Sequence, residues 1–67
     1  MSSQLSSKDI IRALQQNGFV FISQKGSHKK FKKDNCIVIV PDAKKEIPKG
    51  TFASILRQSG LKKEDFY

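Results

Sequence analysis

The run from position 25 to position 33 reads Lys-Gly-Ser-His-Lys-Lys-Phe-Lys-Lys, five lysines and the chain's only histidine with no acid among them. Each lysine that neutralises a phosphate releases bound counterions, so such a strip binds nucleic acid with an affinity that falls steeply with salt. Edge lysines also guard strands against aggregation, and the run alone fits either use. The whole chain carries 13 Lys and Arg against 6 Asp and Glu, a formal net charge of +7. That excess on a small surface favours an anionic partner, and nucleic acid in particular.

Histidine is the side chain whose charge changes near neutrality. Beside cations that hold a phosphate, the neutral imidazole of His28 can take the proton from a ribose 2′-hydroxyl as that oxygen attacks the adjacent phosphorus. Lysines then offset the charge that builds up. Such a step requires no metal. Gly26 lets the backbone approach a phosphate closely and makes the turn from which His28 emerges. Ser27 serves either to hydrogen-bond a phosphate or only to close its own turn. A surface histidine can also be a bystander, and on residue type alone that reading stays open.

Other chemistries find little support. One histidine, one cysteine and scattered carboxylates make no recognisable ligand set, so no metal site is expected. Asp42 and Glu46 fall in a loop where carboxylates are ordinarily solvated. No spacing argues for a Ser-His-Asp set, no glycine-rich nucleotide loop is present, and no cofactor is expected. The longest apolar runs, Phe19 to Ile22 and Cys36 to Val40, are strand-sized, so neither a membrane span nor a signal peptide is expected. The single cysteine, Cys36, suits a reducing cytoplasm and reads as a small apolar residue opening a strand.

The elements that must position this strip can be read from period and punctuation. With 67 residues the chain has room for one domain, 1–67, with one core and marginal stability. Ser6 is placed as a helix N-cap with Asp9 three residues on, and Leu5 and Ile10 stand at staple positions. Ile10, Ala13 and Leu14 recur at helical spacing, so residues 7 to 17 form an amphipathic helix ended by Asn17-Gly18. Phe19 to Gln24, His28 to Lys33 and Cys36 to Val40 read as strands, separated by turns at 25–27 and 34–35 and closed by Pro41. Loops this short imply an antiparallel meander. After a polar loop, Gly50 to Ser59 is helical again, with Phe52, Ile55 and Leu56 on one face. Gly60 caps it, and a short final turn carries Phe66 onto the core. Both helices then cover one face of a three-stranded sheet and leave the other open. Alternation sends Phe31 toward the helices and His28, Lys30 and Lys32 toward the open face.

Three segments together closely resemble HicA toxins. They are Gln24-Lys25-Gly26-Ser27-His28-Lys29-Lys30-Phe31, the strand ending Val38-Ile39-Val40-Pro41, and Pro48-Lys49-Gly50-Thr51-Phe52-Ala53-Ser54-Ile55-Leu56-Arg57-Gln58-Ser59-Gly60-Leu61. Ile11-Arg12-Ala13-Leu14 and Asn17-Gly18-Phe19 fit as well. The resemblance implies an α+β fold like a double-stranded-RNA-binding domain, in the order α-β-β-β-α. It implies a metal-independent endoribonuclease acting on mRNA, the toxin half of a type II toxin–antitoxin pair, with a HicB antitoxin that blocks the site. The family's catalytic histidine falls on His28 and the glycine before it on Gly26. By likeness to RNA-binding domains of this shape, Lys44, Lys45 and Lys49 before the second helix would touch phosphate. Around the histidine, Lys25, Ser27, Lys29, Lys30 and Lys32 would hold the RNA. The other reading is a non-catalytic RNA-binding module in which His28 merely stacks or hydrogen-bonds. A DNA-binding module is disfavoured, since the chain shows neither a helix-turn-helix nor a basic recognition helix.

Overall fold

The computed structural model describes residues 4–67. In chain order the elements are α1 (Ser7–Gln16), β1 (Val20–Lys25), β2 (His28–Lys33), β3 (Cys36–Pro41), α2 (Lys49–Ser59) and a closing 3-10 turn, Lys63–Phe66. The expected α-β-β-β-α order holds, and every helix and strand boundary lies within one residue of its sequence signal. Positions 1–3 fall outside the described residues. Leu5 packs against the core, and its carbonyl accepts the Ile47 N–H at 2.7 Å.

A reciprocal cap starts α1. The Asp9 N–H donates to the Ser6 hydroxyl oxygen at 3.2 Å, and the Ser6 N–H donates to the Asp9 carboxylate at 3.0 Å. The hydrogen bonds from Ser6, first its backbone N–H and then its hydroxyl, hold the Asp9 carboxyl below the usual carboxylate range. The charge of Arg12 adds to this, and desolvation opposes it. Ser6→Ala is therefore expected to cost about 1 kcal/mol of stability, read as a lower denaturation midpoint. Because Asp9 is lowered in the folded state, its contribution is present above its unfolded value and is lost as pH falls through the folded one. The gap between the parent and an Asp9→Asn variant should accordingly close in acid.

The three strands form an antiparallel sheet in the order β1-β2-β3. Ile10 and Leu14 of α1, Ile55 of α2, and Phe31, Val38 and Val40 of the sheet are all but fully buried in one core. Both helices thus cover a single sheet face. Phe66 of the closing turn joins this core and meets Phe52 edge to face, ring centroids 5.3 Å apart. Gly60 ends α2 with a left-handed φ of 71°, its N–H returning to the Leu56 carbonyl. Cys36 opens β3 half-buried against the core.

One strand departs from its apolar appearance. Phe19 is buried just before β1, yet Val20, Phe21 and Ile22 within it are 62%, 49% and 46% exposed. The reason is coverage: the helices pack chiefly on β3, and β1 is the far edge. A bulge between Phe21 and Ser23 interrupts its ladder, a device that locally twists an edge strand and discourages further pairing. The edge of β3 is closed differently, by the Gln58 side-chain oxygen accepting the Ile39 N–H at 3.0 Å.

Candidate functional site

Directly opposed residues of an antiparallel pair share a face, and alternate residues repeat it. Three rows across β1, β2 and β3 therefore make up the open face. Lys25, His28 and Pro41 form the first, Ser23, Lys30 and Ile39 the second, and Val20, Lys32 and Ile37 the third. The first two rows enclose a shallow depression of about 260 Å³ lined by Ser23, Lys25, His28, Lys30 and Ile39. His28 is exposed there, as the sequence predicts.

The turn before His28 holds its position from two sides. Lys25 and His28 are the last paired residues of the β1–β2 hairpin, leaving Gly26 and Ser27 as a two-residue loop. Gly26 has a φ of 60°, the left-handed region that glycine enters without strain, while Ser27 does not share it. Positive φ at the first loop position alone fits a type II′ hairpin turn, whose twist matches that of the strands. From outside, the Asp42 N–H donates to the Ser27 carbonyl at 2.6 Å. That bond ties the loop to the chain leaving β3.

The five lysines of the run divide between the two faces. Lys29 lies on the covered side, where its ammonium pairs with Asp42 at 3.4 Å. Asp42 also accepts from the Gln24 side chain at 3.2 Å, so this carboxylate is a strap across the hairpin end rather than a solvated loop acid. Lys33 reaches back over Gly18 and donates to the Asn17 carbonyl at 2.8 Å. A cation there satisfies a terminal carbonyl and opposes the negative end of the α1 dipole. Lys25, Lys30 and Lys32 are left exposed on the open face. Strand alternation already puts Lys30 and Lys32 on the open face; that Lys29 and Lys33 are engaged depends on partners far away in the chain.

A serine that the sequence pattern does not single out holds this end of the molecule together. Ser7 is 2% exposed. Its hydroxyl donates to the Pro41 carbonyl at 2.6 Å and accepts the Lys44 N–H at 2.9 Å, while its own N–H donates to the Lys44 carbonyl at 2.8 Å. The first turn of α1 is thereby pinned to the end of β3, in the row of His28. Lys44 and Lys45 are exposed on the loop so anchored. Lys49 stands apart from His28, on the rim of a second depression of about 330 Å³ that also contains Leu5, Phe52, Leu56 and Tyr67. Among the described residues, no three His, Cys, Asp or Glu side chains gather as a metal-binding group. No helix among them is long and apolar enough to cross a membrane.

The class defined by these features is a small basic α+β domain with one histidine presented among lysines on an uncovered sheet face. Residues 7–61 match the family model for the HicA toxin of bacterial toxin–antitoxin systems, and the chain belongs to that family. A search of curated proteins found no match.

Proposed function

We propose that this HicA toxin is a metal-independent endoribonuclease that cleaves mRNA in the cytoplasm, with His28 as general base. The observation that carries this reading is the placement of the only histidine in a depression shared with Lys25 and Lys30. His28 would take the proton of a ribose 2′-hydroxyl. The oxygen attacks the adjacent phosphorus, and the bond from phosphorus to the 5′-oxygen breaks. The products are a 2′,3′-cyclic phosphate and a 5′-hydroxyl. The leaving oxygen receives its proton from Lys30 or from water. Lys25, Lys30 and Lys32 would neutralise the phosphates on either side, with Gly26 and Ser27 shaping the approach of the backbone. Lys44 and Lys45 on the anchored loop, and Lys49 at the start of α2, would extend the contact. Lys29 would contribute less, since Asp42 already holds it. An antitoxin of the HicB type would silence the protein by covering the His28 depression.

Binding and cleavage separate experimentally. RNA affinity measured from 50 to 200 mM salt should fall log-linearly, and Lys30→Ala should reduce that slope by about 0.7, one phosphate contact on a single strand. Lys29→Ala should leave the slope nearly unchanged. If the purified protein binds RNA in this way yet leaves it intact, the chain is a binding module and His28 is only a contact.

A further inference from the structure

The hairpin end that presents His28 gets no hold from the core, since positions 24 to 28 are all exposed. Its hold comes from one residue beyond β3. Asp42 engages both chain neighbours of His28: its N–H donates to the Ser27 carbonyl at 2.6 Å, and its Oδ1 pairs with the Lys29 ammonium at 3.4 Å. Its other oxygen, Oδ2, accepts from the Gln24 side chain at 3.2 Å, and the same Gln24 amide donates to the Gly26 carbonyl at 3.1 Å. Strand β1, the loop and strand β2 are thus each tied to Asp42. Asp42 is itself held from either side. The buried Ser7 hydroxyl donates to the Pro41 carbonyl before it and accepts the Lys44 N–H after it. Between these two bonds Ala43 turns the chain with a φ of 59°. That left-handed conformation is unfavourable for alanine and persists only where its surroundings fix it.

We propose that Asp42 is a positioning residue for the reaction, fixing the direction in which His28 enters its depression. This rests on the reading of His28 as the general base. Asp42 is not among the residues that line the depression, and it pairs with Lys29 on the covered side. It therefore acts through the backbone on either side of His28 and not on the substrate. A general base must stand within hydrogen-bond reach of the proton it takes, and a misplacement of about 1 Å costs about 10²-fold in rate. An exposed ion pair adds little to global stability. At a hairpin end without core contacts, the same pair sets local order. On a surface that binds phosphate a carboxylate otherwise works against the substrate, so its presence here calls for a role other than binding.

The test uses the full chain with Asp42→Ala, which removes both side-chain bonds and keeps the backbone one. Its kcat on RNA should fall roughly tenfold to a hundredfold. KM should stay the same or drop, because losing an acid favours an anionic substrate. Asp42→Asn, with one acceptor oxygen left, should recover part of the rate. Lys29→Ala should cost less in the Asp42→Ala background than in the parent, since the two residues act as a pair. Melting curves should show each variant folded like the parent. Nuclear magnetic relaxation supplies a readout that needs no cleavage. In Asp42→Ala the backbone order parameters of Gly26, Ser27 and His28 should fall from the rigid value of about 0.85 toward about 0.6, with those of α1 unchanged. An unchanged kcat in the folded Asp42→Ala protein overturns the proposal, and so does a hairpin that stays rigid. If the parent leaves RNA intact while these order parameters fall as stated, the nuclease reading fails and the hold of Asp42 on His28 stands.

Discussion

Replacing His28 by alanine is expected to lower RNA cleavage by about 10²–10⁴-fold, the usual range for loss of a general base. RNA affinity should stay within a few-fold of the parent, because the exposed lysines remain. The His28 side chain is exposed and belongs to no core contact, so folding stability should also be unchanged. Growth inhibition on induced expression should disappear together with cleavage. Gel-resolved cleavage rates, anisotropy and a melting curve on the same preparation check all three. Loss of binding in parallel with cleavage would make His28 a contact residue. Loss of stability would give it a structural role that its surroundings do not suggest.

The second large effect is on the fold. Phe31→Ala removes the largest fully buried side chain, a ring 1% exposed on the helix-covered sheet face. It also removes an edge-to-face contact with Phe21, centroids 5.8 Å apart. Truncating a buried phenylalanine typically costs about 3–5 kcal/mol. A domain of this length has a total of only about 3–10 kcal/mol. Phe31→Ala should therefore be largely or wholly unfolded at growth temperature, with loss of its far-ultraviolet dichroism and its cooperative melt. Both variants lose toxicity, but one keeps its fold and the other does not. Three positions separate them in sequence, and the two faces of one strand separate them in space. That contrast tests the assignment of faces on which the site rests.

The division between core and open face was legible because strand alternation and a single large apolar residue at Phe31 leave one choice of register. The caps were legible because Ser6, Gly18 and Gly60 act on their immediate neighbours. What escaped sequence reading depends on contacts between distant residues. Asp42 reads as a loop acid until the fold brings it to Lys29, and Lys33 resembles its neighbours until it meets the Asn17 carbonyl. Ser7 looks like any residue of a first helical turn. Its value lies in Pro41, 34 positions away. The exposure of Val20, Phe21 and Ile22 was equally hidden, since their types speak for a strand and not for which strand the helices cover. Family likeness marked His28 and Gly26. It gave no reason to distinguish Lys29 from Lys30, which the register does at once.

The central claim is that His28 directs 2′-hydroxyl attack on RNA without a metal. The direct measurement is end-group analysis of RNA incubated with the purified protein in excess chelator, with the His28→Ala protein prepared in parallel to exclude contaminating nucleases. The account predicts cleavage that leaves 2′,3′-cyclic phosphate and 5′-hydroxyl ends, and no cleavage where the 2′-oxygens are methylated. RNA left intact, cleavage that needs a divalent metal, or products ending in 5′-phosphate would contradict it.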